Sequence, residues 1–197
     1  MIEAATESYH LGPGIRRDER SLGELLADLC AATEADFPEI IALTNQAFRG
    51  RGEGASWNVE DVLDGDRVND SLLREDLAKA PDGHLLIWRQ DGEHLGHVRL
   101  DPLANRTWYL GMLTVRPDRQ DLGLGRRLLS ASEDFARARG GARIRMTVVN
   151  TRDTLVAWYE RRGYALTGET LPFPYGDNRY GTPNRDDLAF VVLEKRL

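Results

Sequence analysis

The sequence predicts an α/β fold: a single domain on a mixed, mostly antiparallel sheet of about six to seven strands flanked by helices. Three observations carry that expectation. Short apolar runs of strand length alternate with longer segments whose apolar residues recur at helical spacing. Two of the runs, Leu85–Trp88 and Leu95–Leu100, flank Gln90-Asp91-Gly92, a turn of the kind that joins hairpin strands. Between two later runs, Leu124, Leu128, Ala131, Phe135 and Ala138 form a clean core-facing stripe. A length of 197 residues with 41% apolar content suits one domain with a full hydrophobic core.

In chain order, residues 1–22 have few apolar anchors and read as a flexible N-terminal extension. Leu25 to Ala31 is an apolar run that reads as the first strand, with helix as its competitor because Glu24, leucine and alanine surround it. Thr33 followed by Glu34, Asp36 and Pro38 starts a helix, with a hydroxyl cap and acids in the first turn. Phe37, Ile40, Ile41, Thr44, Ala47 and Phe48 follow helical spacing, and the glycines from Gly50 to Gly54 end it. Asp70 to Ala80 is a second helix, stopped by Pro81. After the hairpin come a strand at Trp108–Val115 and the striped helix, with Arg137 and Arg139 at its C-terminal end and Gly140-Gly141 as its stop. Then follow a strand at Ile144–Val149, a helix at Asp153–Arg162, and strands at Tyr164–Thr167 and Leu188–Leu193.

The bulk numbers exclude some functions. A formal charge of −6, from 26 basic and 32 acidic residues, argues against nucleic-acid binding, which needs clustered positive charge. No apolar run approaches the ~20 residues that span a bilayer, and the opening residues lack the apolar stretch of a secretory signal. The single Cys30 forms no internal disulfide, so a cytoplasmic setting is expected, with Cys30 as a small buried apolar residue.

The chemistry concentrates after Val115. The stretch Val115-Arg116-Pro117-Asp118-Arg119-Gln120-Asp121-Leu122-Gly123-Leu124-Gly125 joins a strand to a helix. Its glycines admit close backbone approach, and the free N–H groups of the helix start make an anion site suited to a pyrophosphate. Arg126 and Arg127 put positive charge in a first turn where the helix dipole disfavours it, which an anion would explain. Taken alone, a glycine pair serves tight strand-to-helix packing equally well. The dinucleotide fingerprint fails because no third glycine follows, and the Walker pattern fails for want of Gly-Lys-Ser/Thr.

This segment resembles motif A of the GNAT superfamily of acetyl-CoA-dependent N-acetyltransferases, in which a strand, Gln/Arg-x-x-Gly-x-Gly/Ala and a helix bind the coenzyme A pyrophosphate. Gln120, Gly123 and Gly125 occupy the signature positions, while Asp121 stands where many members have glycine. Further on, Asn150, Ala157, Tyr159, Gly163 and Tyr164 are similar to motif B, Asn-x(6)-Ala-x-Tyr-x(3)-Gly-Phe/Tyr. A looser resemblance runs from Cys30 to Leu197, through Thr33-Glu34-Ala35-Asp36 and Gly96-His97-Val98. It makes residues 23–197 the acetyltransferase domain and leaves 1–22 outside.

The resemblance implies a sheet whose fourth and fifth strands, Trp108–Val115 and Ile144–Val149, splay apart to admit the pantetheine arm. It implies acetyl-CoA as co-substrate and no metal. Coenzyme contacts then fall at Leu113, Val115, Gln120, Leu122, Gly123, Leu124, Gly125, Arg126 and Asn150. The reaction implied is direct attack by a primary amine, on a small molecule or a peptide, and family members are often homodimers. Tyr159 matches the motif B tyrosine that serves as general acid, and an unperturbed phenol, with pKa ~10, stays protonated at neutral pH. Leu155, Trp158 and Tyr159 also share a helical face, so alone Tyr159 reads as packing; within both motifs it reads as catalytic.

The general base is not legible. Arg106–Val115 holds no Asp or Glu, and Glu53, His97, Tyr109 and Glu169 stand as alternatives that the sequence does not separate. The acceptor is expected against two loops, Arg49–Val68 and Leu171–Asp187. The first carries Glu53, Trp57, Asp61 and Asp64; the second carries Phe173, Tyr175, Asp177, Tyr180 and Asp186. Acids among aromatics suit an ammonium group, and loop stiffening by Pro172, Pro174 and Pro183 is the equal alternative. A catalytically silent acyl-CoA-binding module remains the second functional reading.

Overall fold

The computed structural model describes residues 29–52 and 55–197. The expected extension at 1–22, the start of the Leu25–Ala31 run and Glu53 lie outside these, as do the side chains of Gln120 and Asp121.

Strand β1 (Leu29–Ala31) leads through a short turn into helix α1 (Phe37–Arg49). The turn is tied by Thr33, whose N–H and hydroxyl both donate to Asp36 Oδ2 at 2.8 Å. Arg89, bonded to Asp36 Oδ1 at 2.8 Å, together with the Thr33 N–H, holds that carboxyl down at about 2. Helix α1 buries Phe37, Ile40, Leu43, Thr44 and Ala47, so Leu43 takes a core place that the sequence pattern gave to Ile41. Helix α2 (Asp70–Lys79) is capped by Asn69, whose Oδ1 accepts from the Leu72 N–H at 2.9 Å.

The hairpin forms between β3 (His84–Gln90) and β4 (Glu93–Pro102). Asp91 and Gly92 turn it at φ 52° and 81°, the paired positive φ of a primed turn. Strand β5 (Thr107–Val115) pairs with β4, and helix α3 (Leu124–Ala138) crosses to β6 (Arg143–Val149). Helix α4 (Asp153–Glu160), β7 (Ala165–Pro172) and β9 (Ala189–Arg196) complete the chain, whose main sheet runs β1-β3-β4-β5-β6-β9-β7. Among the described residues only β5 and β6 are parallel neighbours; the other pairings are antiparallel. Helix α3 packs on this sheet through Leu128, Leu129 and Ala131, all buried to 1% or less. The approach is close at Gly96, where an added Cβ would stand 2.5 Å from the Thr114 carbonyl oxygen and 3.2 Å from Leu128.

Three details position a site. The β5–β6 ladder holds only at Thr107–Tyr109 against Arg143–Arg145 and then opens, so the strands splay as expected. From Leu110 onward β5 keeps its bonds to β4 on one side and leaves its β6 side unpaired. Met112, at φ 51°, breaks the run of β5 opposite the register shift between His97 and Arg99. A non-glycine residue held there costs of order 1–3 kcal/mol, a strain typical of bulges beside functional sites.

The third detail is a pair of short strands that the sequence pattern does not show. In β2 (Leu63–Asp64) and β8 (Thr182–Pro183) the two loops expected to meet the acceptor pair with each other. Arg49 reinforces the clasp by donating to the Tyr180 carbonyl at 2.7 Å and the Gly65 carbonyl at 2.9 Å. Beneath it Phe173, Tyr180 and Phe190 pack with ring centroids 5.4–5.9 Å apart. Cys30 departs from expectation: it lies exposed on edge strand β1, its thiol 3.7 Å from the Ile87 carbonyl, because an edge strand is not covered by neighbours on both sides. Among the described residues no helix is long and apolar enough to cross a membrane.

Candidate active site

Two cavities meet at the splay. One, of about 330 Å³, lies under the clasped loops and reaches Tyr109–Leu113, Met146–Val149 and Arg152. The other, of about 220 Å³, runs along Leu113–Val115 to Gly123, Gly125, Arg126, Trp158 and Arg162. Phe48, Asn58, Leu113, Leu155 and Tyr159 line both, so the two spaces share a wall.

The second cavity has the lining that a long anionic ligand needs. Its floor is the unpaired edge of β5, whose backbone groups stand ready to pair. Its far end is the start of α3, where Gly123 adopts φ 70° and accepts the Arg127 N–H at 3.1 Å. The preceding N–H groups of that first turn have no partner within a helix and point outward with the positive end of the dipole. At Gly125 a Cβ would come 3.6 Å from Trp158, so glycine keeps that space open.

Among the described residues no carboxylate lines this cavity, and Arg126 and Arg162 do. Arg162 is stacked 3.5 Å over the Trp158 ring and donates to the Trp158 carbonyl at 2.6 Å, yet its Nε is buried without a partner. Burial and the neighbouring Arg161 and Arg126 pull its pKa down. Uncompensated cations of this kind fit a diphosphate. Arg127, grouped with Arg126 by sequence, lies instead over the Trp88 ring at 5.1 Å.

Tyr159 stands at the shared wall. It is 6% exposed, packed edge-to-face on Trp158 and Tyr164, and its hydroxyl has no hydrogen-bond partner among the described residues. Packing and access to the cavities thus coexist in one side chain. Desolvation pushes its phenol up, Arg152 and Arg162 pull it down, and the net direction is up, so it is protonated at neutral pH.

Of the expected coenzyme residues, Leu113, Val115, Gly123, Gly125 and Arg126 come together along the second cavity. Gln120 lies in the short turn Pro117–Leu122 before α3. Leu122 in that turn is 64% exposed, and Leu124 is buried at 3% in the core; neither lines the cavity. Asn150 lines neither cavity: its amide donates to the Asp187 carbonyl and accepts the Ala189 N–H, both at 3.0 Å, which anchors the start of β9.

The base alternatives separate as well. His97 is fully buried against Thr44 and His94, and Glu169 is paired with Arg145 at 2.6 Å; neither reaches a cavity. Tyr109 lines the larger cavity and shares a 2.7 Å hydrogen bond with Thr147 across the mouth of the splay. The acids expected to meet an ammonium, Asp61, Asp64, Asp177 and Asp186, do not line the cavity; Glu60, Asp76 and Asp101 do. Counting only acids and aromatics in the two loops missed Arg49, Arg67 and Arg179, which lie in or beside the same loops and were visible there.

A model of the acetyltransferase (GNAT) family matches residues 39–164. Among solved structures, a ribosomal-protein-alanine N-acetyltransferase from Brucella melitensis superposes with a TM-score of 0.62 at 20% identity, covering 86% of this chain and 99% of its own. Nourseothricin acetyltransferase gives 0.58 at 22% identity, covering 85% and 96%. A GNAT family acetyltransferase from Elizabethkingia anophelis, solved with acetyl-CoA bound, gives 0.56 at 20% identity, covering 66% and 84%. At these identities the likeness is one of fold. No curated protein matches the chain by sequence. With the family model spanning both glycine turn and motif tyrosine, the chain belongs to the acetyltransferase (GNAT) family and is an acetyl-CoA-dependent N-acetyltransferase.

Proposed function

We propose that the protein transfers acetyl from acetyl-CoA directly to a primary amine, on a small molecule or a peptide, with Tyr159 as general acid. The observation that carries this reading is the position of Tyr159, which lines both the coenzyme-side and the acceptor-side cavity. The start of α3 with Gly123, Gly125, Arg126 and Arg162 would hold the diphosphate, and the free edge at Leu113 and Val115 would pair with the pantetheine amides.

Chemistry then follows from placement. The amine, held under the clasped loops, attacks the thioester carbonyl; a C–N bond forms and the C–S bond breaks. Backbone donors freed by the splay face the developing oxyanion. The departing thiolate takes the Tyr159 proton, and the proton shed by the nitrogen restores the phenol. Arg152 and Arg162 ease that exchange by stabilising the transient phenolate, against the opposing effect of burial.

Replacing Tyr159 by Phe keeps the packing and removes the proton. Thiol release from acetyl-CoA with a mixed amine panel is expected to drop about 10²–10³-fold, with acetyl-CoA affinity by calorimetry changed less than about threefold. Unchanged thiol release in Tyr159→Phe would remove Tyr159 from the mechanism, and binding with no release for any amine would favour a silent acyl-CoA sensor.

A further inference from the structure

We propose that the larger cavity contains a built anion site at Arg67 and Arg152, so that the acceptor is an amine that also carries a carboxylate or phosphate; this rests on the transfer reading above for the role of the amine. The argument starts from an imbalance of buried charge. Glu60, with its side chain 10% exposed, faces three guanidinium groups: Arg49 at 2.6 Å, Arg152 at 3.3 Å and Arg67 at 3.9 Å. Their side chains are 12%, 8% and 20% exposed. Glu60 is therefore the one carboxylate in ion-pair contact with these three cations, Asp61 being a more distant counter-charge to Arg152, in a space sheltered from water where an unpaired charge is expensive.

The three cations are not equally engaged. Arg49 is spent on the loop clasp, with three backbone carbonyls besides Glu60. Arg152 gives Nη2 to the Asn58 carbonyl and side-chain oxygen and turns Nη1 to Glu60, and burial drags its pKa down. Arg67 is different. Its guanidinium donates no hydrogen bond to any described residue and is sandwiched instead, 5.0 Å from the Tyr180 ring centre and 5.6 Å from that of Phe48. Its backbone is fixed by Asn45, whose Oδ1 accepts the Arg67 N–H at 2.7 Å. A guanidinium held against two rings, its Nε toward Glu60 at 3.9 Å and its Nη groups free of hydrogen bonds among the described residues, lines the cavity preorganised for an oxyanion.

Other charges in the same cavity are balanced and do not compete. Arg99 pairs with Asp101, and Arg179 is surrounded by Asp76, Glu75 and Asp177. The coenzyme phosphates do not account for the surplus either, because their cradle at Gly123–Arg126 lies at the end of the other cavity. A volume of about 330 Å³ fits a small molecule of amino-acid size.

The test compares matched pairs. L-Amino acids and ω-amino carboxylates are set against their carboxamides, and phosphoethanolamine against ethanolamine, by thiol release from acetyl-CoA and by calorimetric binding without acetyl-CoA. The acids are expected to bind and to turn over at least tenfold better than their neutral partners. Whichever of the carboxylate and phosphate arms shows the preference identifies the anion. In Arg67→Gln the preference should shrink to about twofold, and Arg67→Lys should restore part of it, with thermal stability and acetyl-CoA affinity retained in both variants. Preferential acid binding lost in Arg67→Gln supports the site even where no thiol is released, which separates its fate from that of the transfer reading. Acids that bind and react no better than carboxamides, or an acid preference that survives Arg67→Gln, overturn it.

Discussion

His97 illustrates what burial does to a single ionisable group. It is wholly enclosed in β4, with Nε2 2.8 Å from the Thr44 hydroxyl and Nδ1 3.2 Å from His94 Nε2. Desolvation first, and the adjacent His94 second, hold its pKa well below the usual value of 6.5. The folded protein thus refuses a proton that the unfolded chain accepts near pH 6.5, so the unfolded state binds more protons below that pH. Stability is fully present above about pH 6.5 and is lost as pH falls, at up to ~1.4 kcal/mol per pH unit for this group. His84 and His94, also lowered chiefly by burial, act in the same sense. Urea midpoints measured from pH 7 to pH 5 should fall, and His97→Gln should flatten that slope; an identical slope in the variant would assign the effect elsewhere. Removing the hydroxyl in Thr44→Val leaves the imidazole nitrogen short of a partner, at an expected cost of about 1–3 kcal/mol. From sequence His97 was one of four base alternatives; among the three described ones, His97 is enclosed by Thr44 and His94, Glu169 is paired with Arg145 and Tyr109 lines the larger cavity, and such partners, brought from distant segments, are encoded in no local pattern.

At the scale of elements, the start of α3 sets stability against function. Gly125 sits in the first turn, where glycine weakens a helix by roughly 0.5–1 kcal/mol relative to alanine. A Cβ there meets nothing closer than 3.6 Å, so the free protein tolerates it. Gly125→Ala should therefore leave the melting temperature unchanged or raise it, while acetyl-CoA affinity falls about tenfold or more as the methyl fills the cradle. Equal affinity in the variant would move the diphosphate away from this turn. The elements with strong local signals were legible: α3 from its stripe, the hairpin from Asp91-Gly92, α1 from its Thr33 start. Strands β2 and β8 were not, because two residues each carry no periodicity and exist only through the pairing of Leu63 with Pro183 and Asp64 with Thr182, far apart in the chain. Strand β7 extended beyond its expected end for the same kind of reason, since its later residues Thr170–Pro172 are held by β9.

For the whole molecule, ligand binding and folding are linked. A ligand that binds only the folded state at 100 times its Kd adds about 2.7 kcal/mol, which for a chain of this size raises the melting temperature by roughly 5–10 °C. Acetyl-CoA and coenzyme A should both give that shift, and NADH should not; a shift with NADH would contradict the coenzyme side of the site. Of the candidate site, the cavity along Leu113, Val115, Gly123, Gly125 and Arg126 was legible because a glycine turn and a helix start are contiguous in sequence. The cluster in the larger cavity was hidden because Arg49, Glu60, Arg67, Arg152 and Tyr180 converge from segments up to 131 residues apart.

The pairing of β2 with β8 also bears on how this protein can diversify. Two loops that in other arrangements would drift separately are here one backbone ladder, locked by Arg49. A loop exchanged alone with a relative would arrive without its hydrogen-bonding mate and lose the wall it was meant to reshape. New acceptor preferences should therefore arise through paired changes in both segments, or through side chains such as Arg67 that point inward without touching the ladder, so the evolutionary unit is the clasp rather than either loop.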